Sequence, residues 1–357
     1  VSFALEGIGL SAEGQPLLYP VTMDLAAALP NVLLGPTGAG KTTLLRLLAG
    51  LDRPSQGRIL AEGRDVTGHP VRRRSVAMVY QQFINYPAFT VFENIASPLR
   101  ARLSRAEIEA RVREAARLLR LTPYLSRRPL ELSGGQQQRT AIARALVKRA
   151  TLVLMDEPLA NLDYKLREEL REELPRLFAE SNSVFVYATT EPAEALLLGG
   201  HVATMSEGRV TQFGPAGDVF RRPADLATAR VFSDPPLNEA PAKLQGGQLI
   251  LAGGTVLPGP APRLPEGPCT IGIRAHHLSL EPLAGAVAMP AMVRVSEVTG
   301  SESYIHLDVG GLPWVVLAPG VRRPEPGQAM TAWLDPRRCL VFGADGRLAA
   351  AALAEAA

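Results

Sequence analysis

The sequence predicts an α/β domain with a largely parallel sheet and a mainly helical insert, followed by a small all-β domain. Three observations predict it. Five short apolar runs alternate with helical patterns, a long stretch between the second and third runs reads as helix throughout, and helical periodicity largely disappears beyond about residue 233.

The composition allows two packed cores. With 357 residues, 46% apolar and 20% charged, the chain is too apolar to be disordered. Its net charge is +3 and its basic residues are spread along the chain, so no nucleic-acid partner is expected. The 32 glycines and 30 prolines follow no collagen-like period, which excludes a fibrous protein. Apolar stretches such as Thr151–Met155 break at charges too soon to span a membrane. Two cysteines, Cys269 and Cys339, and no basic-then-apolar leader before Leu10 suit a reducing cytoplasm.

The first run, Asn31–Leu34, is a strand that ends directly in Gly35-Pro36-Thr37-Gly38-Ala39-Gly40-Lys41-Thr42-Thr43. Leu44, Leu45, Leu47 and Leu48 then recur at helical spacing. Strand, glycine-rich loop and helix in that order match a phosphate-binding loop. Glycines let backbone N–H groups turn around a β-phosphate, and the helix points its positive end at the anion. Lys41 adds a point charge, and Thr42 offers a hydroxyl to Mg²⁺.

Val76–Tyr80 is the second strand, and residues 86–150 form the helical insert. Ser104 and Glu107 make a capping box there, and Ile108, Val112, Ala115 and Leu119 line one face of the following helix. The third strand, Leu152–Met155, delivers Asp156 and Glu157 to its C-terminal end, where open α/β sheets bind ligands. Asp156 is placed to hold Mg²⁺, and Glu157 to take a proton from, or orient, the water attacking a γ-phosphate. Ser183–Ala188 and His201–Met205 complete the set of five. Asp234-Pro235-Pro236 and Gln245-Gly246-Gly247 mark a boundary that divides the chain into 1–232 and 233–357. Beyond it Val293 and Val295 alternate with Arg294 and Ser296, and Ile305, Leu307 and Val309 with His306 and Asp308, which predicts a barrel of short strands. His69, His201, His276, His277 and His306 lack metal-ligand spacing; His276 and His277, read as strand neighbours, point to opposite faces. No metal beyond Mg²⁺ is expected.

Leu132-Ser133-Gly134-Gly135-Gln136 precedes an apolar helix and lies twenty residues or so before the acidic pair. Ser133, Gly134 and Gly135 opening a helix offer a hydroxyl and free N–H groups as a second γ-phosphate clamp. With the phosphate loop and the acidic strand, this segment resembles the ATP-binding subunits of ABC transporters, and the resemblance covers essentially the whole chain. It implies a P-loop ABC ATPase domain, with ATP and Mg²⁺ as cofactors, that works as a dimer. Each ATP would be held between one subunit's phosphate loop and the partner's Ser133–Gln136 segment. Gln81 resembles the family's Q-loop glutamine, a sensor of Mg²⁺ and the attacking water; Asn161, Leu162 and Asp163 resemble its D-loop. The stretch from Gln81 to Pro87, with Phe83, Ile84, Asn85 and Tyr86, is implied to contact integral-membrane permease subunits. Ile271–Leu278, Val298–Glu302, Leu334-Asp335-Pro336 and Leu340–Phe342 resemble the OB-like TOBE region of importers for sugars, polyols, glycerol and glycerol phosphate. The implied protein is an ATP-hydrolysing, energy-coupling importer subunit, peripheral on the cytoplasmic face of the inner membrane, served indirectly by a solute-binding protein.

Two positions depart from the pattern. Where the family has Thr-His-Asp this chain has Thr189-Thr190-Glu191, and Thr190 donates one hydroxyl hydrogen bond but cannot become cationic. Where an aromatic stacks on adenine, the chain has Ser11 or Ala12, with Tyr19 too far along the strand. Both departures fall in the site built on Lys41, while Ser133–Gln136 is intact. A heterodimer with a second, different ATPase and a homodimer in which Thr190 suffices both fit. The alternatives to transport are a non-transport ABC ATPase, disfavoured by a single cassette without long heptads or a cysteine cluster, and an ATP-binding regulatory subunit, disfavoured by Glu157.

Overall fold

Val21, Met23 and Leu25 alternate with Thr22 and Asp24, and this two-residue period builds the first sheet of the structure, a computed structural model. It describes residues 2–27, 29–82, 84–100, 103–160, 162–180, 183–252, 254–259 and 265–351, so Phe83 and Asn161 lie outside the described residues. The chain divides into two compact units, Val1–Ala216 and Gly217–Ala357.

In the first unit, β1 (Ser2–Ala12), β2 (Gln15–Ala26), β4 (Gln56–Ala61) and β5 (Arg64–Asp65) form an antiparallel sheet in the order β2-β1-β4-β5. The second sheet has the order β10-β9-β3-β8-β7-β6, from β3 (Pro30–Leu34), β6 (Val76–Val79), β7 (Leu152–Asp156), β8 (Val184–Thr189), β9 (His201–Ser206) and β10 (Arg209–Pro215). All its pairings are parallel except the β9–β10 hairpin. The five apolar runs of the sequence are β3, β6, β7, β8 and β9, each within a residue or two of its expected ends. Helix α1 (Lys41–Ala49) buries Leu44, Leu45, Leu47 and Leu48 in a core with Leu33, Leu154 and Val186 of the parallel sheet and Leu5, Ile8 and Leu25 of the antiparallel one.

Between β6 and β7 lie α2 (Val91–Ala96), α3 (Arg105–Leu118) and α4 (Gly134–Val147). Ser104 and Glu107 close the capping box at α3, whose Val112 and Ala115 are buried, with Leu119 just beyond its end. Asn94, fully buried, ties the approach to α2 together. Its Oδ1 accepts from the Tyr86 N–H at 2.7 Å, and its Nδ2 donates to the carbonyls of Tyr86, Phe89 and Thr90 at 3.0, 3.1 and 3.0 Å. Helices α5 (Tyr164–Glu180) and α6 (Pro192–Leu198) flank β8 in sequence.

The second unit starts earlier than the Pro/Gly-rich signal at Ser233. Helix α7 (Ala216–Arg221) leads into it, and α8 (Leu226–Val231) packs Leu226 and Ala229 on Leu237 and on Leu340 and Phe342 of the C-terminal strands, which draws α8 to that side. Its strands are β11 (Asn238–Gln245), β12 (Gln248–Leu251), β13 (Val256–Pro258), β14 (Gly267–Ile273), β15 (Leu278–Ser279), β16 (Val287–Val298), β17 (Glu302–Val309), β18 (Leu312–Pro319), β19 (Ala329–Leu334), β20 (Leu340–Gly343) and β21 (Leu348–Ala350). They form two wholly antiparallel sheets, β13-β12-β11-β14-β20-β21 and β15-β19-β16-β17-β18, around one core. Asn238 clasps the sheets by exchanging hydrogen bonds with the Val315 backbone at 2.8 and 2.6 Å.

Two local readings of the sequence are corrected here. Val293 is buried but Val295 is half exposed, because a register shift between them turns the strand over. His276 and His277 lie in a 3₁₀ turn, Ala275–His277, not on a strand, and their rings meet edge-on with centroids 4.3 Å apart.

Candidate active site

The C-terminal ends of β3, β6, β7 and β8 lie at one edge of the parallel sheet, since Leu34 pairs with Thr189, Val79 with Met155, and Asp156 with Ala188. Gly35, Glu157 and Thr190 directly follow β3, β7 and β8, and Gln81 lies two residues beyond the end of β6. Gly35 must be glycine, since a Cβ there would collide with the Met205 carbonyl, and Gly38 and Gly40 adopt φ of 84° and 97°. These backbone angles carry the chain through a tight turn into α1.

Lys41 is 5% exposed. Its Nζ donates to the carbonyls of Gly35 at 2.7 Å and Pro36 at 3.1 Å, and pairs with Glu157 Oε1 at 3.4 Å. Burial lowers the pKa of this ammonium, and the carboxylates of Glu157 and Asp156 oppose that shift. Asp156 is buried and accepts from Thr42 Oγ1 at 2.8 Å; burial raises its pKa against the effect of that hydrogen bond. Glu157 sits at φ 46°, a conformation costly for a residue with a side chain. Its N–H donates to Ala188 O at 3.0 Å, and its Oε2 accepts from Gln81 Nε2 at 3.1 Å. Five residues predicted from three separate segments, Lys41, Thr42, Gln81, Asp156 and Glu157, thus form one cluster.

The remaining predicted residues lie outside that cluster. Ser133 caps α4 in a capping box, its Oγ accepting from Gln136 N at 3.3 Å and its N–H donating to Gln136 Oε1 at 3.0 Å. Among the described residues no hydrogen bond or ion pair joins Ser133, Gly134, Gly135 or Gln136 to Lys41, Asp156 or Glu157. Leu162 is buried and Asp163 exposed ahead of α5. Thr190 is exposed beyond β8. Ser11 and Ala12 are exposed at the β1–β2 turn, and the Tyr19 ring is covered by the Arg209 guanidinium, 3.3 Å from its centroid.

Other residues hold this site: Gln138 and Arg144 were not singled out in the sequence, and Asn85 was named only as part of the Gln81–Pro87 stretch. Gln138, fully buried on α4, donates to the carbonyl of Pro158 in the turn after Glu157. Asn85 Nδ2 donates to Gln137 O at 2.9 Å, and Arg144 donates to Ile84 O while lying 5.3 Å from the Tyr86 ring centroid. These bonds pin residues 84–86 to α4, yet Ile84 and Tyr86 remain 57% and 51% exposed. The sequence signal was the polar residue at each position; its partner is visible only in the fold.

Comparison with known proteins gives this arrangement its context. The ABC transporter family matches residues 18–160, and the TOBE domain matches residues 271–342. The sn-glycerol-3-phosphate import ATP-binding protein UgpC of Paracoccus denitrificans (strain Pd 1222) is 37% identical over 342 residues, 95% of this chain and 96% of that protein. The chain belongs to the ABC transporter family. A second protein of the same name, from Salmonella typhi, is 39% identical over 339 residues, 93% of this chain and 94% of its own. Among solved structures, the cassette resembles dimeric MJ0796 in a post-hydrolysis state bound to ADP and Pi, with 27% identity, a TM-score of 0.54, and coverage of 60% of this chain and 98% of that one. It also resembles cbiO1 from Clostridium perfringens, part of the ABC transporter complex cbiONQ, with 27% identity, a TM-score of 0.56, and coverage of 61% and 90%. The protein is accordingly a nucleotide-binding, energy-coupling ATPase of an ABC transporter with a C-terminal TOBE domain. Among its described residues no helix is long and apolar enough to cross a membrane.

Proposed function

We propose that this ATPase drives import of glycerol phosphate or a related polyol or sugar, docked peripherally on the cytoplasmic face of the inner membrane. The observation that carries the chemistry is the single cluster of Lys41, Thr42, Asp156, Glu157 and Gln81. ATP is cradled by the backbone of Gly35–Thr43, with the Lys41 ammonium moving from its carbonyl partners to phosphate oxygens. Thr42 Oγ1 and Asp156 Oδ2 are hard oxygen donors 2.8 Å apart, and burial of Asp156 favours a neighbouring cation, so the pair fits Mg²⁺, while Gln81 contacts Glu157 next to Asp156. The ion would neutralise charge on the β- and γ-phosphates. Glu157, held by Gln81, orients the attacking water, and Lys41 stabilises the developing charge. Ser133–Gln136, exposed at Ser133 and Gly134 and not bonded to this cluster, serves the ATP of a partner subunit, identical or different.

The solute class rests on relatives that match nearly the full length of the chain and are named for sn-glycerol-3-phosphate import. The test is uptake into vesicles holding the cassette, its permease subunits and its solute-binding protein. ATP-dependent uptake of glycerol phosphate that is lost with Lys41→Ala supports the reading, and uptake of none of the three solute classes rejects it. Thr190 and the aromatic-free β1–β2 turn favour a second reading, a heterodimer in which the Lys41 site is the weaker one. Native mass in ATP and Mg²⁺, with Glu157→Gln to slow turnover, distinguishes them: a closed dimer of this chain alone rejects the heterodimer.

A further inference from the structure

We infer that Arg167 is a positioning residue that braces the turn behind Glu157 against the segment carrying Thr190, so that the two sides of the hydrolytic site keep one spacing. This rests on the proposed role of Glu157. Arg167 lies in the first turn of α5. Its Nη2 donates to the carbonyls of Ala160 and Leu162 at 3.3 and 3.4 Å, and its Nη1 pairs with Glu191 Oε1 at 3.2 Å. Ala160 in turn donates its N–H to Glu157 O at 3.3 Å. One guanidinium therefore reaches both the peptide turn that holds Glu157 at positive φ and the residue directly after Thr190.

The Thr190 side of the brace is fixed at depth. Glu191 also pairs with Arg171, and its N–H donates to Thr189 Oγ1 at 3.0 Å. The Thr189 hydroxyl donates to Glu194 Oε2 at 2.6 Å, and Glu194, 4% exposed, also accepts from Tyr187 OH and pairs with Arg171, both at 3.1 Å. Arg171 is bonded only to carboxylates in this network, whereas Arg167 alone within it also holds the carbonyls of the Glu157 turn. The planar fork of arginine suits three divergent acceptors, which the compact ammonium of lysine does not. A threonine in the switch position makes the brace matter more, because one short hydroxyl has no long side chain with which to make up a misplaced backbone.

The test compares Arg167→Gln, Arg167→Lys, Glu191→Gln and the Arg167→Gln/Glu191→Gln double variant, with turnover divided by bound ATP per chain so that unfolded protein does not count. Arg120→Gln, which breaks a partly exposed 2.8 Å pair between the segment after α3 and Glu169 of α5, is the control. Arg167→Gln is expected to lose about tenfold in turnover per bound ATP with KM within about twofold, since small misplacements of reacting groups are costly in rate. Arg167→Lys recovers less than half of the loss, and the double variant loses no more than Arg167→Gln alone. Losses that multiply in the double variant, full rescue by lysine, or normal turnover per bound ATP in Arg167→Gln overturn the inference. Absence of turnover in the unsubstituted chain and in Arg120→Gln rejects the hydrolytic reading instead.

Discussion

Replacing Glu157 by glutamine keeps the shape of the side chain and removes one charge. The amide oxygen can still accept from Gln81, so the 3.1 Å contact survives, but the 3.4 Å pair with Lys41 does not. At an effective dielectric of about 20 the lost attraction is about 5 kcal/mol before solvation is counted. Both groups already bear a desolvation cost and Lys41 retains its two carbonyls, so the net loss of stability is about 1–3 kcal/mol. The chemical loss is larger, about 10²–10⁴-fold in turnover, as for a displaced general base. Phosphate release, equilibrium ATP binding and thermal denaturation measured on one preparation separate these effects. Burial holds the Lys41 pKa down and Glu157 opposes it, so the variant lowers that pKa further. Its ATP affinity falls with rising pH at a lower pH than that of the unsubstituted chain. Turnover within about threefold of normal, where a removed general base costs far more, refutes the assignment of Glu157. Loss of turnover only in proportion to lost ATP binding assigns Glu157 to holding Lys41.

Asp156→Asn abolishes Mg²⁺-dependent hydrolysis and stabilises the fold at neutral pH. A carboxyl whose folded pKa is raised contributes stability below its unfolded pKa that is lost as pH rises through the folded value, so the asparagine variant also has a flatter melting-temperature profile across that window. Gly35→Ala drives a methyl group into the Met205 carbonyl; it is expected to lose ATP binding and about 1–3 kcal/mol of stability, checked by nucleotide titration and denaturant unfolding. Asn94→Ala leaves the Tyr86 N–H and the Phe89 carbonyl without their partner, for a loss of about 2–4 kcal/mol by denaturant unfolding, whereas the Tyr86 and Thr90 carbonyls keep the Phe89 and residue-94 N–H groups.

The parts of the site that were legible in the sequence are those in which the chemistry lies in consecutive residues. Gly35–Thr43, Asp156-Glu157 and Ser133–Gln136 each carry their geometry locally, through glycine angles, a strand end and a helix cap. The antiparallel sheet of β1, β2, β4 and β5 was not read, although β2 alternates cleanly, because register shifts at Leu5/Ile8 and beyond break the period in β1. A similar irregularity hid the outward turn of Val295. Helix α8, before Ser233, joined the second unit because Leu226 and Ala229 find apolar partners, Leu340 and Phe342, more than a hundred residues later. Arg167 was invisible for the same reason: Glu191, its partner, is 24 residues away and looks like any charged residue after a strand.

Six of the nine residues of α1 are buried between two sheets, including the lysine at its first position. The exposed crest of the phosphate loop, Pro36–Gly38, is therefore anchored at Gly35, Ala39 and α1 in the core, and moving those anchors means breaking the core. The loop's ordering cost is met when the chain folds, not each time nucleotide arrives. Binding of ATP should accordingly show a small heat-capacity change within a single cassette, and a large one only when a second subunit closes over it.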